Sequence, residues 1–167
     1  SIQRAVDNAD VGERIRINAG TYAQHVNVYK EVTIYAPNGA TITNTSEISA
    51  ESAFRLDADA EVSGLTLTDW TWGIGSGGSS SDWTVSDLTI VNSYQAITAY
   101  ESEGNWKVED TIIRDARRDG IEIQLSSGDL TIRNTTITNV SDGINAGRFS
   151  GEVRISSVKI EDASWHS

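Results

Sequence analysis

The sequence predicts an all-β solenoid of about seven short coils with a small helix over its first end, and three observations predict it. The first is a repeat. Val85-Ser-Asp-Leu88-Thr-Ile90-Val-Asn92 has close copies in Val62-Ser-Gly-Leu65-Thr-Leu67-Thr-Asp69, Val108-Glu-Asp-Thr111-Ile-Ile113-Arg-Asp115, Ile132-Arg-Asn-Thr135-Thr-Ile137-Thr-Asn139 and Ile155-Ser-Ser-Val158-Lys-Ile160-Glu-Asp162, so that the markers Leu67, Ile90, Ile113, Ile137 and Ile160 follow one another at steps of 23, 23, 24 and 23. The second is the period of two inside each copy, which puts aliphatic residues on one face and Thr, Ser or charge on the other, as in a strand. The third is the step itself, too short to hold the crossover helix that parallel strands in an ordinary α/β sheet need. Coils stacked about 4.8 Å apart turn equivalent positions into columns, with Ile, Leu and Val inside.

The helix comes first. In residues 1–11, Ile2, Ala5, Val6 and Ala9 stand at helical spacing behind Ser1, a side chain suited to an N-cap. A solenoid's first coil exposes core and unpaired strand groups, so a lid is expected there, with residues 12–167 forming the solenoid. Arg14-Ile-Arg-Ile17, His25-Val-Asn-Val28 and Glu31-Val-Thr-Ile34 then read as alternating strands. Weaker repeats complete the count of seven: Ile42 lies 25 residues before Leu67, and Ile17 another 25 before Ile42. Marker strands end in Asn44, Asp69, Asn92, Asp115, Asn139 and Asp162, side chains that tolerate the left-handed region and suit a sharp turn. Stacked, they are expected to hydrogen-bond from coil to coil. Roughly four residues later a further strand starts at Gly73-Ile74, Ala96-Ile97, Gly120-Ile121-Glu-Ile123 and Gly143-Ile144.

The opening resembles that of the pectin-lyase-like right-handed parallel β-helix proteins. Ile2-Gln3-x-Ala5-Val6-Asp7-x-Ala9, Gly12-x-x-Ile15-x-Ile17, Gly20-Thr21-Tyr22-x-Gln24-x-Val26-x-Val28 and Val32-Thr33-Ile34 carry the likeness, and the later coils resemble the parallel β-helix repeats of the NosD-type (carbohydrate-binding and sugar-hydrolase) branch. Gln24 stands where those relatives usually carry Glu. The resemblance implies a single-stranded right-handed parallel β-helix. It implies little about activity, because the fold hosts lyases, hydrolases, esterases, epimerases and purely structural surface proteins. The polygalacturonase-like Asn-Thr-Asp and Gly-His-Gly motifs are missing, as are the pectin-methylesterase-like motifs; Asn44-Thr45 is followed by Ser46.

Composition narrows the partners. Twenty-four acidic residues against 13 basic give a net charge of −11, which argues against nucleic acid, whose recognition needs a basic surface. Such a surface fits a salt-adapted protein or an ordinary acidic extracellular one. The absence of Cys excludes a disulfide framework, and no apolar run approaches the ~18 residues of a membrane span. Beginning at Ser1 without Met, the chain is expected to be a processed or excised piece.

Two candidate sites arise from the columns. Trp70, Trp72, Tyr94, Arg117, Arg118 and Trp165 occupy related turns, and aromatics with Arg suit sugar rings, which stack on flat apolar surfaces while polar groups take the hydroxyls. Packing of these aromatics on one another at the turns is the competing reading, and it is the one expected for Trp83 and Trp106. Asp119 and Asp142 precede Gly120 and Gly143, with Glu122 and Asn145 pointing outward two residues after those glycines. Carboxylates about 5 Å apart would suit a shared calcium ion or the acid pair of a retaining glycosidase, although in so acidic a chain coincidence is the default. No cofactor is required by any motif.

The last repeat, Ile155 to Asp162, is followed by Ala163-Ser-Trp-His-Ser167, with neither a capping helix nor a polar closing coil in the sequence. Val158, Ile160 and Trp165 are therefore expected to meet further coils or a partner subunit. The combined reading is an extracellular or cell-surface binding and assembly module, non-catalytic, with glycan contact. The alternative is a polysaccharide lyase or glycoside hydrolase, or a fragment of one.

Overall fold

The computed structural model describes residues 1–45 and 51–163. Every strand pairs in parallel with its equivalent one coil away, and the chain winds through three faces. The first face carries Glu13–Arg16, residues 32–35, residues 60–63, Trp83–Ser86, Trp106–Glu109, Leu130–Arg133 and Val153–Ser156. The second carries Thr21–Ala23, residues 40–43, 65–68, Thr89–Val91, residues 112–114, 136–138 and Lys159–Ala163. The third carries Val26–Val28, Ser52–Leu56, Trp72–Gly77, Gln95–Tyr100, residues 119–124 and 142–147. The solenoid expected from the repeat is therefore present.

Inward columns make the core. On the second face Tyr22, Ile42, Leu67, Ile90, Ile113, Ile137 and Ile160 stand in register. All five strong markers are in their expected column, but Ile17 is not. Its amide donates to the Tyr35 carbonyl at 2.8 Å beyond the first strand, and Tyr22 takes the marker position. The first coil is shorter than the later ones, so a step of 25 overshoots into a corner. On the third face Val26, Phe54, Ile74, Ile97 and Ile121 are buried one above another. Each such side chain contributes about 1.5–3 kcal/mol by leaving water.

The turn chemistry follows one rule at three corners. Asp69, Asn92, Asp115, Asn139 and Asp162 take positive φ between the second and third faces, whereas Asn44 does not. The expected ladder forms there: Asn92 Nδ2 donates to Asp69 Oδ1 at 2.6 Å and Asn139 Nδ2 to Asp115 Oδ1 at 2.7 Å. A second column, Asp87, Asp110, Asn134 and Ser157, does the same between the first and second faces. Its earlier member is Gly64, where φ is +74° and a Cβ would stand 2.4 Å from the Ala36 carbonyl oxygen. The third column, Gly78, Glu101, Leu125 and Arg148, has no preference for Asn or Asp.

The N-terminal helix spans Ile2–Asn8, and Ser1 accepts from the Arg4 amide at 3.2 Å. Ile2, Val6 and Ala9 are buried over the first coil, while Ala5 faces solvent. Gln3 behaves as an extra strand residue: its Oε1 accepts from the Asn27 amide at 2.6 Å and its Nε2 donates to the Asn27 carbonyl at 3.2 Å. Gln24 Oε1 accepts from the Ile2 amide at 3.1 Å, satisfying one of the orphan donors of the helix start. At the other end Lys30 Nζ donates to the carbonyls of Asp7 and Ala9, each at 3.0 Å.

Candidate functional site

The outward side of the third face carries three adjacent columns. The first is Ser52, Trp72, Gln95, Asp119 and Asp142; the second is Arg55, Gly75, Thr98, Glu122 and Asn145; the third is Gly77, Tyr100, Gln124 and Gly147. Gly75 and Gly77 leave a gap where their neighbours have side chains. The result is a cleft of about 280 Å³ between Arg55 on one coil and Glu122 three coils away, with Trp72 and Tyr100 on its walls. Neither glycine has positive φ, so their service here is absence of bulk.

A polar network backs the cleft. Trp72 Nε1 donates to Gln95 Oε1 at 3.0 Å, and Gln95 Nε2 donates to Asp119 Oδ2 at 2.9 Å and to Glu122 Oε2. Gln124 Nε2 donates to Glu122 Oε1 at 2.7 Å, and Asn145 Nδ2 to Asp119 Oδ1 at 3.3 Å. Arg118 lies across both carboxylates, 3.2 Å from Asp119 and 3.4 Å from Glu122. Glu122, then Asp119, push the guanidinium's pKa above its already high value. Asp119 is wholly buried and Glu122 is 8% exposed. Two carboxylates this deep need such partners, because an unpaired buried charge costs several kcal/mol.

Trp72, Arg118, Asp119 and Glu122, which the sequence divided between two candidate sites, thus meet in one. Asp142 is the register partner of Asp119 on the next coil and lies beyond the cleft lining. Trp70 is 2% exposed, its indole N–H donating to the Ile42 carbonyl at 3.2 Å, so its ring packs into the corner. Tyr94 is exposed and, with Arg117 and an edge of Trp70, borders a separate polar hollow of about 210 Å³ next to Asn92 and Ser93. Trp165 falls outside the described residues. Trp83 and Trp106 stack inside the solenoid, as expected, with ring centres 6.1 Å apart.

Arg55, Gly75, Gln95, Thr98 and Tyr100 were not singled out from the sequence. The signal was there: the step of 23 or 24 carries Glu122 back to Thr98 and Gly75, and Asp119 back to Gln95 and Trp72. Among the described residues no group of three or more His, Cys, Asp or Glu is placed to hold a metal ion. No described helix is long and apolar enough to cross a membrane. At the far end Val158 is half-buried against the core, while Ile155 is 52% and Ile160 44% exposed.

Residues 72–166, more than half of the chain, match the family model described as the right handed beta helix region. No curated protein matches the chain. Most of the cleft lies within the matched span, and only Ser52 and Arg55 come from the coil before it.

Proposed function

The chain belongs to the right-handed β-helix family, and from that premise we propose that it is a non-catalytic binding module, working outside the cell or at its surface, that holds a glycan in the third-face cleft. One observation carries this reading. Trp72 stands half-exposed on the wall of a preformed hollow, its indole N–H fixed by Gln95, with the hydroxyls of Ser76 and Thr98 nearby. A held aromatic face beside convergent polar groups is what a sugar ring needs, since its C–H face stacks while its hydroxyls take hydrogen bonds.

The paired carboxylates favour a second reading, hydrolysis or elimination at Asp119 and Glu122. Burial argues against it. An acid pair must reach both sides of the scissile bond, and the Asp119 side chain has no exposed surface and sits beneath Gln95 and Arg118. Isothermal titration against a panel of oligosaccharides tests the binding reading, with Trp72→Ala and Gly75→Leu as variants, one removing the stacking face and the other filling the hollow. Each is expected to weaken binding at least tenfold, about 1.4 kcal/mol. Unchanged affinity in both would overturn the cleft assignment, and chain cleavage abolished by Glu122→Gln would establish the enzyme.

Assembly is the second part of the proposal. Exposed Val153, Ile155 and Ile160 on the last described coil favour contact with further coils or a second subunit. Light scattering in ~0.15 M and in multimolar salt, where surface repulsion is screened to different extents, tests it. Oligomers abolished by Ile160→Asp are expected, and a folded monomer in both salts would sink self-association.

A further inference from the structure

We infer that the cleft selects glycans carrying free amino groups over neutral ones and rejects uronates; this rests on the glycan-binding reading above. The argument starts from which charges are already engaged. Among the described residues Arg55 is the one cation lining the hollow, and its Nε pairs with Asp57 at 2.8 Å while its Nη2 reaches the Gly77 carbonyl at 3.5 Å. Arg118 is engaged by Asp119 and Glu122 together. Around the hollow, then, two cations face the three carboxylates of Asp57, Asp119 and Glu122, and the whole chain adds its net charge of −11.

Depth sharpens the sign. The Arg55 side chain is 46% exposed, so water and salt screen its pull, whereas Glu122 is nearly buried at the opposite wall. Charges felt in a poorly hydrated recess act more strongly than those at its rim. Glu122 also keeps acceptor capacity. A carboxylate offers about four lone-pair sites, and Gln95, Gln124 and Arg118 are its three donors here. An ammonium on a sugar stacked against Trp72 would supply the next donor and balance the local charge. A uronate in the same place would set a fourth carboxylate against the other three, with no disengaged cation among the described residues of the lining to receive it.

The test compares a glucosamine tetramer, its fully N-acetylated counterpart and tetragalacturonate by titration at about pH 6, where amine and carboxylate are both largely ionised. At low salt the amine is expected to bind at least tenfold more tightly than the acetylated form, with the uronate weakest. On the wild-type protein that preference should shrink as salt is raised to about 0.5 M, and in Glu122→Gln the amine-to-acetyl ratio should fall to about one. Equal affinities, or a uronate that binds best, would overturn the selectivity and leave the glycan-binding reading standing. No binding by any of the three would overturn both.

Discussion

The first coil and the last described coil present the same kind of surface and differ in what is seen to cover it. At the first end the helix Ile2–Asn8 lays Ile2 and Val6 over the opening of the core, and Gln3 occupies the strand edge at Asn27. At the other end the strands Val153–Ser156 and Lys159–Ala163 are exposed along their whole lengths. A parallel stack has no internal reason to stop, because each coil presents to the next the surface that it received from the one before. A lid must therefore be a different kind of structure, and here it is a helix pinned by side-chain amides. Charge differs as well. Residues 147–163 hold Arg148, Arg154 and Lys159 against Glu152, Glu161 and Asp162, a neutral balance in a strongly acidic chain.

The largest effect should come from breaking the closed end. Val6→Asp places a carboxylate in a fully buried site with no partner, and about 3–5 kcal/mol should be lost. Urea unfolding measures it, and a change below about 1 kcal/mol would show that the helix is not seated. Next comes one residue type in one column at two depths. Ile137→Ala, inside the stack, should cost about 2–5 kcal/mol, while Ile160→Ala on the adjacent coil, 44% exposed, should cost under about 1 kcal/mol in the isolated chain. Equal costs would mean that the last coil is covered in solution.

The smallest effect is a pH dependence confined to the lid. The Asp7 carboxyl is held below its ordinary value of 3.8, first by the Gln3 amide and then by the Tyr29 hydroxyl. A lowered folded-state pKa means stability that is complete above the unfolded value and disappears as pH falls through the folded one. Amide exchange in residues 2–9 should therefore quicken below about pH 4 relative to Asp7→Asn, whose lid has no such titration. Parallel behaviour of the two proteins would remove Asp7 from the account.

Much of this was legible because a repeat states each position several times. The markers Leu67 to Ile160 and the turn residues Asp69 to Asn139 went where their spacing placed them. Ile17 failed because the first coil has its own length. Trp70 and Trp72 part company for a different reason: two tryptophans two residues apart look alike in sequence, yet the turn at Asp69 sends Trp70 into the corner, beside Tyr94 and Arg117, and Trp72 onto the outer face. The cleft was hidden because its floor is Gly75 and Gly77, residues that carry no chemistry to notice. Its polar lining lies in the columns of Asp119 and Glu122, whose members differ in type from coil to coil and so do not read as a repeat.

The parallel ladders have a mechanical consequence. Their hydrogen bonds run from coil to coil, along the axis of the stack, so tension applied between the two ends loads the ladders one after another instead of sharing the force among them. Such a rod peels. Under load applied at Val153–Ala163 that coil would part before the ones behind it, and the cleft, whose walls span the coils from Ser52 to Glu122, would keep its shape until the loss had reached Glu122.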